Sequence, residues 1–217
     1  MDVFGLDEEL LGFVAPPVLA VILLYPLTEE SEERRREELE RQPEARMDEL
    51  PKSLFYMKQT IGNACGTIAL LHCLANVCAA EGDVVSGDRG RVLTIAKGAF
   101  LESFMNEATG MTPEEIGEHL EAGKGCSGTL HELHGEAAQR GDTRAPGVDD
   151  EIDLHFVAFV EKDGVVWELD GRRAGPIQRG AVEGGLMQSV ARVVREEYIA
   201  KRDGDISFNV MALASAE

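Results

Sequence analysis

The sequence predicts an α+β domain with one sheet, because three kinds of pattern occur together along the chain. Residues 18–25 (VLAVILLY) form a continuously apolar, β-rich run bounded by prolines, which is typical of a strand buried on both faces. Residues 154–160 (LHFVAFV) and 165–169 (VVWEL) are two further strands, and the Asp163-Gly164 pair between them is a hairpin signal. Helical patterns separate the strands, and residues 208–213 supply a closing strand, so the order of elements favours an α+β fold.

Helical signals lie between these strands. Apolar residues recur at helical spacing in residues 64–80, which predicts a helix packed on the core. Thr112 opens another helix, with Pro113 at its first position and Glu115 three residues after the cap, the pattern of a capping box. Two more helices are predicted, over residues 92–107 and 183–201.

Two polar segments have weaker signals. Residues 29–52 are dense in Glu and Arg, which is compatible with an exposed helix or a mobile linker, and such charge runs are usually solvated. We therefore give this segment little functional weight. Residues 123–150 are polar and contain glycines and a proline, so we expect a long loop, and loops of this length tend to be functional or mobile.

The charge balance excludes some classes of partner. The 217 residues carry 40 Asp plus Glu against 21 Lys plus Arg, a formal net charge of -19. Phosphate would be repelled, so we expect no nucleic-acid or membrane partner; the natural partner is a basic protein or peptide, although acidity also serves solubility alone. No signal peptide is recognised, and the longest apolar run is too short to span a bilayer, so we expect a cytoplasmic protein that can also be nuclear.

The cysteines and most histidines give no metal pattern. The four cysteines form no C-x-x-C pair and have no zinc-ligand spacing with histidine; they are Cys65, Cys73, Cys78 and Cys126. We interpret Cys73 and Cys78 as small core residues. His72 lies seven residues after Cys65, about two helical turns away and too far to act as its base. The other three, His119, His131 and His134, are not interpreted as ligands, so no metal or organic cofactor is expected.

Cys65 is the candidate nucleophile. It begins the helix predicted in residues 64–80, where the positive end of the helix dipole lowers the pKa of a thiol. Its small neighbours Ala64 and Gly66 leave room for a substrate carbonyl. On this evidence alone, a cysteine packed in the core is the competing interpretation.

His155 and Asp170 are the candidate base and its orienting group. A two-residue turn at Asp163 and Gly164 makes Asp170 the diagonal neighbour of His155 on the same face of the sheet. Asp170 can then accept from one ring nitrogen of His155 and leave the other free to take a thiol proton. A purely structural His–Asp hydrogen bond is the alternative. Gln59, six residues before Cys65, is a candidate donor to an oxyanion, together with the backbone N–H of the nucleophile.

These residues lie in longer motifs that resemble the ubiquitin carboxyl-terminal hydrolase family. Residues 57–67 (MKQTIGNACGT) look like the family's active-site signature. Residues 154–156 (LHF) and 168–172 (ELDGR) look like its His and Asp motifs. Residues 2–26 and the ending SFNVMAL are also similar, so the resemblance runs from end to end and is strongest to the small single-domain members.

The resemblance implies a papain-like cysteine peptidase fold with a central, mostly antiparallel sheet flanked by helices. It implies that Cys65 attacks, His155 acts as base, Asp170 orients the base and Gln59 lines the oxyanion hole. The implied enzyme is a monomeric thiol-dependent deubiquitinase without cofactors. Its substrate is ubiquitin, or a close relative, carrying a small or flexible adduct on its C-terminal glycine. The family's loop across the active site corresponds to residues 128–150.

Two other interpretations stay open at this point. Family members normally have a further N-terminal segment before the region matching Asp2, so we expect residues 1–217 to be a single catalytic domain lacking that segment. A catalytically silent ubiquitin-binding protein is therefore one alternative. An unrelated acyl-transfer enzyme with the same Cys-His-Asp chemistry is the other, and the length of the motifs argues against it.

Overall fold

The architecture is a five-stranded antiparallel sheet with helices on both faces, seen in a computed structural model that describes residues 1–41, 50–79, 93–123, 154–200 and 208–214. The strand order is β6-β5-β4-β1-β7. Its strands are β1 (Val18–Pro26), β4 (Leu154–Lys162), β5 (Val165–Leu169), β6 (Ile177–Ala181) and β7 (Asn209–Ala214). A separate parallel pair joins β2 (Cys78–Ala79) to β3 (Leu93–Thr94). The predicted α+β class and mostly antiparallel sheet are confirmed.

The central strand β1 is apolar on both faces because a different helix packs on each side. Ala20 contributes to a core cluster with Ala69 and Cys73 of the helix that begins at Cys65. Val21 and Leu23 are fully buried in a second cluster, which includes the helix of residues 186–193. Alternate residues of a strand point to opposite faces, so the continuous apolar run fills two cores at once.

The β4–β5 hairpin has the register that the sequence predicts. Lys162 pairs with Val165, and pairing continues to Ala158 opposite Leu169. The two turn residues, Asp163 and Gly164, have φ values of 53° and 76°. Positive φ at both central positions is the requirement of a type I′ turn, whose twist matches that of the strands. The register brings the start of β4 next to the end of β5.

Six α-helices complete the described part of the chain. They are α1 (Glu8–Leu11), α2 (Glu29–Arg41), α3 (Cys65–Val77), α4 (Phe100–Glu107), α5 (Pro113–Glu121) and α6 (Leu186–Val193), the last continuing as a π-helical turn over Val194–Ile199. The capping box at Thr112 and Glu115 is present as predicted. Of the two possibilities for residues 29–52, the described part up to Arg41 is a helix. No helix in the described ranges has both the length and the apolar character needed to cross a membrane.

The prediction of a helix over residues 92–107 is wrong for the first half of that range. Leu93 and Thr94 form β3, and the helix begins only at Phe100. Gly98 has φ of 77°, which ends any regular helix there, and its N–H donates to Glu102 Oε2 at 2.5 Å at the start of α4. The predicted loop of residues 123–150 lies, from residue 124 onward, outside the described residues, as do Cys126, His131 and His134.

Candidate active site

Cys65 is the first residue of α3, the position at which the sequence places it. Asn63 takes φ of 53°, so the chain turns sharply just before the helix, and Ala64 at the N-cap provides no side-chain hydrogen bond. The backbone N–H groups of the first turn therefore point toward the space at this end of the helix, as they do at helix N-termini in general. The thiol is partly exposed, whereas Cys73 of the same helix is fully buried.

His155 lies on β4 and reaches Asp170, the residue directly after β5. The two are joined by a hydrogen bond of 2.8 Å between His155 Nε2 and Asp170 Oδ1. Tyr25 of β1, paired with His155 across the sheet, packs edge-on against the imidazole with ring centroids 5.7 Å apart. Because Nε2 is occupied by the carboxylate, Nδ1 is the ring nitrogen left for Cys65.

Asp170 is 1% exposed, so its charge depends on partners within the protein. Burial favours the neutral acid, but the hydrogen bond and charge of His155, the Arg35 guanidinium and the backbone N–H of Arg172 hold the pKa of Asp170 well below its usual range. Arg172 N donates to Oδ1 at 2.9 Å. Arg35 Nη2 lies 3.3 Å from Oδ2. The carboxylate is therefore ionised and held through both oxygens.

Cys65 and His155 form a hydrogen-bonded acid–base pair. Burial opposes ionisation of the thiol, but the hydrogen bond with His155, the backbone N–H groups of Phe156 and Gly66 and the imidazolium charge lower the pKa of Cys65 below its usual value. Burial also favours neutral His155, but hydrogen bonds and charges of Asp170 and Cys65 raise the pKa of His155 to about 9. These opposite shifts favour a thiolate–imidazolium pair at neutral pH.

The backbone of Gln59 is held next to Asp170. Its N–H donates to the carbonyl oxygen of Gly171 at 2.9 Å, next to Asp170 in the chain. A side chain at Gly171 would lie 2.9 Å from Ile68 Cγ2 and 3.0 Å from Gln59 Cβ, so only glycine lets Gln59 and α3 approach this closely. Gln59 Nε2 donates to Ile61 O at 2.9 Å, which fixes the amide and leaves its second N–H for another acceptor.

Two polar residues of α3 hold the segment that leads into Gln59. Asn76 accepts from Phe55 N at 2.9 Å and donates to Phe55 O at 2.8 Å, as a neighbouring strand would. One turn earlier, His72 Nε2 accepts from Met57 N at 3.1 Å, and burial lowers the pKa of His72 to about 4, so the ring is neutral. The helix that carries Cys65 thus also positions the backbone that carries Gln59.

Tyr56 and Lys58 link this segment to the turn after Asp170. The Tyr56 hydroxyl lies 2.8 Å from the carbonyl oxygen of Asp170 and 2.7 Å from that of Arg173. Lys58 Nζ also donates to the carbonyl oxygen of Arg173. Segment 55–59 therefore contacts the turn after β5 at Asp170 and at Arg173, before and after the Gly171 that bonds Gln59.

Several supporting residues have no signal in the sequence. Residues 29–52 carry little functional signal, yet Arg35 of α2 lies against Asp170 and Glu32 pairs with Arg172. In a segment rich in charged residues, no pattern distinguishes the arginine that turns inward. His72 contacts Met57 instead, and its spacing of four from Asn76 is the available sign of a helix face with polar contacts.

The arrangement has the parts that acyl transfer through a thiol requires. His155 and Asp170 are joined by a hydrogen bond of 2.8 Å, the imidazole of His155 also lowers the pKa of Cys65, and the Gln59 backbone is held at Gly171, the residue after Asp170. Such an arrangement can supply a nucleophile, a base oriented by a carboxylate, and an amide donor for a developing oxyanion. Across the described residues, no group of three or more His, Cys, Asp or Glu is arranged to hold a metal ion.

Comparisons with known proteins agree with this arrangement. The family model described as "Ubiquitin carboxyl-terminal hydrolase, family 1" matches residues 1–200. Ubiquitin carboxyl-terminal hydrolase 3 of Arabidopsis thaliana is 37% identical over 213 residues, 98% of this chain and 82% of the relative. Human ubiquitin carboxyl-terminal hydrolase isozyme L1 is 36% identical over 217 residues, 100% of this chain and 87% of that protein.

A solved structure shows the same fold. The Trichinella spiralis UCH37 catalytic domain, bound to ubiquitin vinyl methyl ester, superposes with a TM-score of 0.65. It is 21% identical, and the match covers 99% of this chain and 84% of that domain. The prediction of a papain-like fold is thereby confirmed.

Proposed function

The chain belongs to ubiquitin carboxyl-terminal hydrolase family 1 and is a cysteine-type ubiquitin hydrolase, and from this premise we propose that it removes small or flexible adducts from the C-terminal glycine of ubiquitin or a close ubiquitin-like protein. We assign the chemistry to Cys65, His155, Asp170 and Gln59. The observation that supports this assignment most strongly is the hydrogen bond of 2.8 Å between His155 and Asp170, beside an imidazole that lowers the pKa of the Cys65 thiol.

Acylation begins from the thiolate–imidazolium pair. Cys65 Sγ forms a bond to the carbonyl carbon of the terminal glycine, and the carbonyl electron pair moves onto its oxygen. The second N–H of the Gln59 amide and the backbone N–H of Cys65 donate to this oxyanion. When the intermediate collapses, the bond to the adduct breaks, the imidazolium of His155 gives its proton to the leaving group, and a thioester remains.

Deacylation uses the same residues in the reverse proton direction. Neutral His155 takes a proton from water as the water oxygen attacks the thioester carbonyl. The C–S bond then breaks, which releases the C-terminal carboxylic acid of ubiquitin and regenerates the thiolate–imidazolium pair; the acid gives its remaining proton to solvent and becomes the carboxylate. Asp170 holds Nε2 throughout, so that Nδ1 stays directed at Cys65 and the positive charge on the ring is stabilised.

Ubiquitin as the partner is supported by charge and by the solved relatives. Two solved Trichinella spiralis UCH37 structures hold ubiquitin vinyl methyl ester. The net charge of -19 on this chain would attract the arginines of a ubiquitin tail and favour rapid association. We propose that residues 1–217 act as one monomeric catalytic domain in the cytoplasm, with the nucleus as a further location.

Turnover of ubiquitin carrying a fluorogenic amide at its C-terminus tests the proposal. We expect the wild-type chain to release the fluorophore, Cys65→Ala to abolish release, and Cys78→Ala, which changes a half-buried cysteine outside the site, to retain it. A ubiquitin fused to a bulky folded protein should be cleaved far more slowly than the small amide. Tight ubiquitin binding without any turnover would contradict the proposal and support the catalytically silent binding protein.

A further inference from the structure

The second oxygen of Asp170 has a cation beside it that the proposed mechanism does not use. Oδ1 serves His155 and the backbone N–H of Arg172, at 2.8 Å and 2.9 Å. Oδ2 is buried and, within the described ranges, accepts no hydrogen bond. The nearest cations to Oδ2 are Arg35 Nη2 at 3.3 Å and Arg173 Nε at 3.7 Å. A buried carboxylate oxygen needs such compensation, and Arg35 is the closer source.

Arg35 is brought there by a helix that is fixed to the same turn by a second ion pair. Glu32, one turn before Arg35 on α2, accepts from both terminal nitrogens of Arg172 at 3.2 Å and 3.4 Å. Glu32 also lies 3.7 Å from Arg35. Two residues of α2 thus pair with two residues of the turn after β5, and the Arg35 side chain is only 13% exposed as a result.

The start of α2 is itself well defined. Thr28 N donates to Ser31 Oγ at 2.8 Å and Ser31 N donates to Thr28 Oγ1 at 3.1 Å, the reciprocal pattern of a capping box. Thr28 closely follows the end of β1, the strand that pairs with the His155 strand. The start of the helix is therefore fixed shortly after β1 ends, and about one turn later Arg35 reaches Asp170.

We propose that Arg35 is a positioning residue for the reaction: by holding Oδ2 of Asp170 from α2, it fixes the carboxylate plane on which His155 is aligned and adds a positive charge to the site. This inference rests on the catalytic roles proposed above for Cys65, His155 and Asp170. It makes the docking of α2, a helix without an apolar stripe, part of what sets the reactivity of the thiol.

The sign of the charge effect follows from the neighbours of the carboxylate. Titratable or charged groups face Asp170 and its immediate surroundings from five helices and strands and from the turn after β5: His155 (β4), Arg35 (α2), Arg172 and Arg173 (the turn), Glu168 (β5), Tyr25 (β1) and His72 (α3). Removing the positive charge of Arg35 raises both the pKa of the Cys65 thiol and the pKa of the His155 imidazolium. Both limbs of the pH profile of Cys65 reactivity should therefore move to higher pH.

Alkylation of Cys65 by iodoacetamide tests this without any need for ubiquitin. The rate of Cys65 modification would be followed by peptide mass spectrometry between pH 5 and pH 10 in wild type, Arg35→Gln, Arg35→Lys and Arg36→Gln. Arg36 is the matched control, since it is exposed on the same helix and loses the same charge. We expect Arg35→Gln to shift both limbs upward by on the order of half a pH unit, and Arg35→Lys and Arg36→Gln to retain the wild-type limbs.

A second readout separates positioning from folding. With the ubiquitin C-terminal amide, Arg35→Gln should lower kcat about tenfold with little change in KM, and Arg35→Lys should restore part of the loss.

An unshifted alkylation profile in Arg35→Gln, or an equal shift in Arg36→Gln, would overturn the proposal. If wild type alkylates with the expected profile but does not turn over the amide, the proposed function fails while the role of Arg35 stands. If Arg35→Gln does not fold, Arg35→Lys becomes the test. Because lysine keeps the positive charge, a shifted alkylation profile in Arg35→Lys would contradict the charge effect.

Discussion

The backbone N–H of Gln59 donates to the carbonyl oxygen of Gly171 at 2.9 Å, and this bond joins two parts of the site that are far apart in the chain. Gly171 directly follows Asp170, so this bond fixes the segment of Gln59, the proposed oxyanion donor, relative to Asp170, the proposed orienting residue. Ile68, one turn after Cys65, packs against the same glycine. The relative positions of Cys65, Asp170 and Gln59 therefore depend in part on this close approach.

Replacing Gln59 with alanine should slow chemistry without disturbing the fold. We propose that its second amide N–H donates to the oxyanion, an interaction made mainly in the transition state, so kcat should fall about a hundred-fold with little change in KM. The comparison variant is Gln188→Ala, which removes an exposed glutamine from α6. Steady-state kinetics on the ubiquitin amide would measure both, and a Gln59→Ala enzyme as fast as Gln188→Ala would remove Gln59 from the oxyanion hole.

A methyl group at Gly171 should push Gln59 away from the site. The added Cβ would meet Gln59 N at 3.0 Å and Ile68 Cγ2 at 2.9 Å, closer than such atoms pack. We expect Gly171→Ala to lower kcat by at least tenfold and to destabilise the protein by about 2 kcal/mol. Gly180→Ala is a useful contrast, because φ of 101° makes it strained while open space surrounds it. It should lose stability but keep its specific activity; equal kcat losses in the two variants would contradict the prediction.

The pH dependence of thiol reactivity should follow the His155–Asp170 bond. When His155 loses its proton, the thiolate–imidazolium pair becomes a thiolate beside a neutral imidazole, so the alkaline limb of the alkylation profile, where one thiolate form replaces the other, should lie at about pH 9. Asp170→Asn removes the anion that stabilises the imidazolium, and the pKa of His155 should then fall, which moves this limb toward neutral pH. The pH profile of Cys65 alkylation would show the shift. A limb that stays in place, or moves upward, would mean that Asp170 does not set the charge on His155.

Asn76 should matter for stability through its contacts with Phe55. Asn76→Ala leaves the N–H and C=O of Phe55 without their partner in a partly buried place, which should cost about 2–3 kcal/mol of the free energy of unfolding. Urea denaturation would measure the loss. Asn106→Ala, at an exposed position of α4, should cost less than about 0.5 kcal/mol. Similar midpoints for the two variants would show that the Phe55 pairing is energetically unimportant.

The sequence predicted most of what lies on regular elements. The β4–β5 register followed from the Asp163-Gly164 turn, because a two-residue turn leaves only one pairing, and this register placed His155 diagonal to Asp170. The position of Cys65 at a helix start followed from apolar periodicity. The candidate roles of Cys65, His155, Asp170 and Gln59 followed from residue type and position, the motif resemblance implied the same roles, and these roles stay predictions.

What the sequence did not predict depends on contacts between distant segments. Arg35 is one arginine in a segment crowded with charge, and only the path of the chain after Thr28 turns it toward Asp170. The helix predicted from residue 92 did not allow for Gly98, where positive φ interrupts the pattern. Neither feature has a local signal strong enough to decide between the alternatives.

The reaction of the purified chain with ubiquitin bearing a thiol-reactive group at its C-terminus tests the role of Cys65 itself. We expect one covalent adduct per chain, located on Cys65 by mass spectrometry, and none with Cys65→Ala under the same conditions. Circular dichroism would establish that both proteins are folded. A folded wild-type chain that forms no adduct, or an adduct that survives the Cys65→Ala change, would show that Cys65 does not attack the ubiquitin C-terminus.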